Sequence, residues 1–190
     1  MLLRRVLSVS LLVLSPAVYA DALDVNLRDD AAQFKFFTSA GIFIQGNSEF
    51  NVGFLYTDSK SNLANATLLV KAAEEAVPGL SIGIGVEGVY GTLNNDTMKK
   101  DGAAIAIGTE IGYTLPTMNQ VAIIGDLFLS PKITSFANID RFTQAGLRVE
   151  YSLSPQTSAY LGYRQIDFGI KNANTQTLDS GVMLGVKLSF

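Results

Sequence analysis

Three sets of residues carry chemistry by type and spacing. Asp126 and Glu150 are carboxylates that could trade a proton as general acid and base if the fold brought them together. Gly83-Ile84-Gly85-Val86-Glu87-Gly88 fits the glycine pattern that cradles a dinucleotide pyrophosphate. Asn65-Ala66-Thr67 and Asn95-Asp96-Thr97 have the form of glycosylation acceptors. Two absences limit what such groups could do. There is no histidine, so the usual base for a serine or cysteine nucleophile is missing, together with the commonest metal ligand. There is no cysteine either, which excludes disulfides, thiolate metal sites and a lipid-bearing N-terminal cysteine. No cofactor is implied, and the chain reads as a protein that is not an enzyme.

The elements that hold these residues decide among the uses. A dinucleotide site needs a strand before the glycines and a helix opening out of them. Here a period of two runs straight through them: Leu80, Ile82, Ile84, Val86, Gly88 and Tyr90 share one face, opposite Ser81, Gly83, Gly85, Glu87 and Val89. The same alternation marks residues 103–115, 143–153 and 181–190, and more weakly 23–28, 34–44, 49–57, 65–73, 121–130 and 159–167. Segments of about ten residues suit tilted strands that cross a bilayer, and an even count of ten suits a bacterial barrel. Eight is the alternative count, with the short hairpin at Asp29 and Asp30 left out of the wall. The predicted fold is all-β, a closed antiparallel transmembrane β-barrel.

Because a soluble β-sandwich also alternates, the placement of charge is what distinguishes a membrane barrel. On the polar faces stand Asp24, Arg28, Lys35, Glu49, Lys71, Glu87, Glu110, Asp126, Arg148, Glu150, Arg164 and Lys187, six acidic and six basic. Asp167, at the outer end of its strand, falls on the opposite parity. A charged side chain facing lipid at mid-depth costs about 2 to 4 kcal/mol for Lys or Arg, so this segregation points the charges into the lumen. Inside a narrow barrel they persist only when paired and hydrogen-bonded, which makes Asp126 and Glu150 members of a lumen charge network rather than a catalytic pair. The glycine and alanine on the inward faces of 80–90 and 103–115 leave volume for a narrow wet path. Tyr56, Tyr90, Tyr113, Tyr151 and Tyr163 fall on the apolar faces, where they suit an interfacial aromatic girdle.

Targeting follows from the start of the chain. Arg4 and Arg5, the apolar run of residues 6–14, Pro16 and the small residues Val18 and Ala20 read as a secretory signal peptide over residues 1–20, with one barrel domain over 21–190. Losing two of the fourteen basic residues leaves twelve against seventeen acidic ones, a net charge of −5, so nucleic acid is not an expected partner. Mean hydropathy is nonetheless +0.27. Compact turns at Gly46-Asn47-Ser48, Val77-Pro78-Gly79, 116–119 and Ser154-Pro155-Gln156 alternate with longer polar connections at 58–62, 93–101, 131–140 and 169–178. That asymmetry predicts periplasmic turns, extracellular loops and both termini in the periplasm. Phe190, closing an alternating apolar series, is the expected signal to the outer-membrane assembly machinery.

Gly88-Val89-Tyr90, Gly102-Ala103-Ala104, Gly125-Asp126 with Ser130-Pro131, Ala145-Gly146-Leu147-Arg148, Gly162-Tyr163-Arg164 and the closing Gly185-Val186-Lys187-Leu188-Ser189-Phe190 occur in an order that resembles the YfaZ-like outer-membrane proteins. The resemblance implies location in the bacterial outer membrane and a barrel fold, and no particular chemistry. Three functions are in view: a non-enzymatic barrel with a charge-paired lumen and a structural or surface-contact role; a narrow pore or transporter for small solutes; and a soluble periplasmic barrel that binds a hydrophobic ligand. The expected partners of the first are outer-membrane lipid and lipopolysaccharide, with the protein a monomer.

Overall fold

The computed structural model describes residues 21–40, 47–73, 77–95, 98–171 and 173–190. The predicted signal peptide and positions 41–44 of the predicted second strand lie outside them. Eleven strands form one antiparallel sheet: β1 (Ala22–Leu27), β2 (Ala31–Ser39), β3 (Ser48–Thr57), β4 (Asn62–Ala73), β5 (Leu80–Asn95), β6 (Met98–Leu115), β7 (Met118–Ser130), β8 (Ser135–Ala137), β9 (Ile139–Ser154), β10 (Thr157–Ile170) and β11 (Thr175–Ser189). β1 pairs with both β2 and β11, and β5 pairs with β6, so the sheet closes on itself. β8 pairs with β6 alone, which leaves a wall of ten strands. The eight-strand alternative fails because β1, although six residues long, is laddered along both edges, from Ala22↔Ser189 to Leu27↔Leu184 and from Ala22↔Phe37 to Leu27↔Ala32. A closed ring leaves no bare edge.

One rim carries compact turns and both ends of the described chain, where the Phe190 N–H donates to the Asp21 carbonyl at 2.9 Å. In the β4–β5 turn Gly79 takes φ +88°, a backbone region that glycine occupies without strain, just before Leu80 enters the ladder. The other rim is taller than the sequence suggests. The predicted loop at 93–101 is mostly ladder, with Leu93↔Lys100 and Asn94↔Lys99 extending the β5–β6 hairpin. The predicted loop at 131–140 contains a 3-10 turn (Lys132–Thr134) and then β8. β7 stops pairing with β6 at Ile107↔Leu129, and β8 occupies the edge above it through Gly102↔Ala137, Ala103↔Phe136 and Ala104↔Ser135.

The outside is apolar. Ile84, Ile107 and Leu184 are 63 to 65% exposed, and the outward faces from Leu23 on β1 to Leu188 on β11 are dominated by Leu, Ile, Val, Phe and Ala. Tyr56 and Tyr90 lie toward the tall rim, and Tyr113 and Tyr151 toward the compact one. Tyr163 stands mid-strand, its hydroxyl sharing a hydrogen bond with that of Ser180 at 2.8 Å. Tyr113 is opposite Leu80; the stretch of β5 from there to Tyr90 spans roughly 33 Å along the strand, or about 25 Å of height at a tilt near 40°.

The interior has two tiers. Toward the tall rim Leu55, Leu63, Ile139, Phe142, Ile166 and Phe168 point inward and are buried to 1% exposure or less. The Phe142 and Phe168 rings meet with centroids 5.2 Å apart, tilted at 56°. This apolar cap departs from the small-or-polar lumen that the alternation predicts. Below it the inward side chains are mainly polar or charged. Because the cap is closely packed, truncation leaves a cavity as well as lost contacts: Phe168→Ala should cost about 3 to 5 kcal/mol of stability, measured as a fall in the urea midpoint of the barrel in detergent micelles, whereas Ile133→Ala, 85% exposed outside the cap, should leave the midpoint unchanged.

Candidate functional site

Period-two geometry aims the twelve sequence-predicted charges inward, and register then decides which of them meet. Lys71 on β4, Gly83 on β5 and Glu110 on β6 lie side by side. Gly83 has no side chain to obstruct, so the Lys71 stem passes over it, 3.3 Å from where a Cβ would stand. The Lys71 ammonium therefore reaches Glu110 at 2.9 Å as well as Glu49 at 3.2 Å. Glu110 also faces Arg148 at 3.6 Å, and Arg148 faces Glu150 at 3.7 Å. The result is a chain of alternating charge, Glu49–Lys71–Glu110–Arg148–Glu150, strung across the lumen from β3 to β9.

A second cluster lies closer to the cap. The Asp179 carboxylate accepts from Arg164 Nε at 2.7 Å and faces Arg28 at 3.1 Å, with its side chain 1% exposed. Arg164 also donates to Asn26 at 3.4 Å and to Gln33, and Asn26 donates to Gln33 at 3.0 Å. Asp179 is absent from the sequence-predicted set because the alternation read from the sequence begins at residue 181, whereas β11 starts at Thr175 and carries Asp179 on the same inward parity as Gly181 and Lys187. Ile166 pairs with Asp179 but Asp167 with Thr177, so Leu178 is an extra residue in β11 and both it and Asp179 turn inward. Tyr160 ties Asp24 to the first cluster: its hydroxyl donates to Asp24 at 2.6 Å, and Arg148 sits over its ring at 5.7 Å. Neutral Asn26, Gln33, Gln144 and Tyr160 are as buried as the charges, yet nothing in their type distinguishes them from surface residues in the sequence.

The other predicted residues are placed differently. Lys187 lies over the Phe37 ring at 4.4 Å. Lys35, Glu87 and Asp126 line the interior cavity and have no opposite charge within 4.0 Å among the described residues. Glu87 Oε1 instead accepts from Asn65 Nδ2 at 2.8 Å and from Thr67 Oγ1 at 3.3 Å. Asp126 is opposite Gly146 and Glu150 is opposite Ala122, so the two lie roughly 13 Å apart along the strand direction, too far to share a proton. Asn65, the first asparagine of the sequon-like triplets, is buried in the interior at 7% exposure, out of reach of a glycosylating enzyme. Asp167, on the outer parity, accepts from Gln165 and Thr177, each at 2.6 Å.

The glycine-lined faces are not open volume. The space above Gly108 is taken by the Phe128 ring, that above Gly85 by Leu69, that above Gly102 by Ile139 and that above Gly185 by Tyr160. What remains is a cavity of about 50 Å³ among the charged residues, below the cap.

Burying Arg164 and Asp179 together is tolerable because they are paired, and removing Arg164 leaves the buried Asp179 with Arg28 at 3.1 Å as its one remaining counter-charge among the described residues. Arg164→Met should destabilise the barrel by about 3 to 5 kcal/mol, and the double change Arg164→Met with Asp179→Leu should recover most of that loss in the same urea titration. At the β1–β2 turn, the hydrogen bond from Arg28 holds the exposed Asp30 carboxyl below its ordinary 3.8. A carboxylate with a depressed folded-state pKa adds stability that is present above the unfolded value and lost as pH falls through the folded one. The Asp30 carboxyl carbon resonance should therefore titrate below pH 3.8 and return toward that value in Arg28→Gln.

No curated protein matches the chain. Among solved structures, the outer membrane channel DcaP of Acinetobacter baumannii is 12% identical at a TM-score of 0.46, over 88% of this chain and 54% of that one, so the chain spans about half the length of DcaP. A chain solved in work on the mechanism of in-meso crystallization of membrane proteins is 14% identical at a TM-score of 0.40, over 89% of this chain and 82% of that one. The family described as YfaZ precursor matches residues 3–190. With that match running over nearly its whole length, the chain belongs to the YfaZ family.

Proposed function

We propose that this protein is an integral barrel of the bacterial outer membrane, closed to solute flow and non-enzymatic, with a structural or surface-contact role. The observation that carries the proposal is the inversion of the usual globular pattern: ion pairs at the centre, hydrocarbon side chains on the outside. Between the Tyr113 and Tyr90 levels the outward faces of the described residues carry no charged residue except Asp167, near the tall end of β10 and hydrogen-bonded to Gln165 and Thr177, and the belt of about 25 Å matches the apolar band of outer-membrane barrels. Closure to solutes is supported by the cap of Phe142, Phe168 and their neighbours and by the side chains packed over the inward glycines. The observations give the solute-pore alternative no comparable support. The soluble alternative would leave exposed large apolar side chains in contact with water on every strand, far beyond the few hundred Å² of contiguous apolar surface usual on a soluble monomer.

In this proposal the belt is solvated by outer-membrane lipid and lipopolysaccharide, the compact rim faces the periplasm, and Phe190, 77% exposed with its ring on the outward parity, serves as the assembly signal. Envelope fractionation with a heat-modifiability gel is the direct test. The protein should sediment with outer membranes, require detergent for extraction and migrate faster before boiling than after; a mature protein that stays in solution without detergent would overturn the proposal. Ile107→Arg, placing a cation in mid-belt at a cost of about 2 to 4 kcal/mol, should reduce the heat-modifiable fraction. Planar-bilayer recordings should show no large, steady conductance.

A further inference from the structure

We propose that the interior cavity binds one small monovalent cation, of the sodium, potassium or ammonium class, through the side-chain oxygens of Glu87 and Asn51. Asn51 on β3, Thr67 on β4 and Glu87 on β5 are side by side in the ladder and all point inward. Each is at least nine-tenths buried, with exposures of 5, 4 and 1%, and all three line the same cavity. Their hydrogen bonding is one-sided. Oε1 of Glu87 is occupied by Asn65 and Thr67, while its Oε2 and Oδ1 of Asn51 are buried without a hydrogen-bond partner. Two unmatched acceptors beside one cavity call for a hydrogen-bond donor or a cation, since a buried acceptor left unpaired is costly and a buried carboxylate more so.

The charge count points the same way. Below the apolar cap, leaving out Lys100 at the tall rim, adding Asp179 to the six acids and six bases read from the sequence sets seven inward carboxylates against six inward cations, an excess of one negative charge. Among the described residues Glu87 has no cationic side chain within 4.0 Å. Oxygen donors are the ligands that hard cations take, and among the described residues no three acidic side chains converge as a divalent ion would require. A cavity of about 50 Å³ has room for roughly three water-sized particles, enough for a small cation and residual water but not for an organic solute. This site does not depend on membrane residence, and its failure would leave the outer-membrane proposal standing.

The test is urea unfolding of the purified barrel in detergent at constant ionic strength, with sodium, potassium or choline chloride. Replacing choline by 150 mM of the preferred cation should lower the unfolding equilibrium constant about tenfold, as binding at ten times the dissociation constant does. Glu87→Gln, which keeps the side chain's shape, should abolish that difference, and Asn51→Asp should shift it to lower cation concentration. Equal stability in all three salts would overturn the proposal, as would a cation effect that persists in Glu87→Gln. A wild type that responds to pH but not to cation identity would assign the position to a proton and overturn it as well. Cation dependence that arises only in Lys35→Met would assign it to the Lys35 ammonium, with the same consequence.

Discussion

A ring of ten strands has an inner surface too narrow to keep charged side chains hydrated, and an inward ion must be compensated by counter-charge, hydrogen bonds or an aromatic face across the lumen. The backbone solves only half of this problem. Closing β1 on β11 satisfies the ladder, but adjacent inward positions on neighbouring strands do not automatically carry opposite charge. Glu110 and Asp126 are directly opposed, a destabilising arrangement in isolation. It holds because Lys71 comes over Gly83 from one side and Arg148 stands on the other. Glycine at an inward position therefore acts as a gap through which a long side chain reaches a partner two strands away. Tyr160 uses Gly185 in the same way to reach Asp24.

Much of the wall was legible because its code is simple. Period two, the exclusion of charge from one face and the alternation of short with long connections follow directly from pleat geometry and hydrocarbon solvation, and they locate all ten wall strands and the face of each charged residue within the predicted strand bounds. The misreadings occurred where two effects share one sequence signal. Inward Gly85 and Gly108 look like empty space along their own strands; only the neighbouring strand reveals Leu69 and Phe128 filling it. Asp179 escaped because β11 begins six residues before residue 181, where the clear alternation starts: the extra residue at Leu178 breaks the pattern before it, so that stretch reads as polar connection. The apolar cap escaped because inward Leu55, Leu63 and Phe168 break the alternation near the tall rim, so the segments holding them read as loop or weak strand.

The two tiers divide the work of filling a cylinder. Aromatic and branched side chains pack the tall end without needing partners, whereas the charged end gains specificity, because a slip of one residue in any strand would turn a buried ion toward the outside. Arg164 shows how tightly such a tier is specified. Its partners come from β1, β2 and β11, so one side chain fixes the relative height of strands drawn from both ends of the chain.

The seam between β1 and β11 also has a kinetic meaning. The Tyr160–Asp24 and Arg164–Gln33 contacts join residues 136 and 131 positions apart, among the longest loops this chain can close. Such separations slow folding. Until the last strand arrives, the chain is an open sheet with an unpaired backbone along both margins, the form most prone to recruit other chains. The ring exists only when its final strand docks, so escort of the unfinished sheet is a requirement built into the order of its strands.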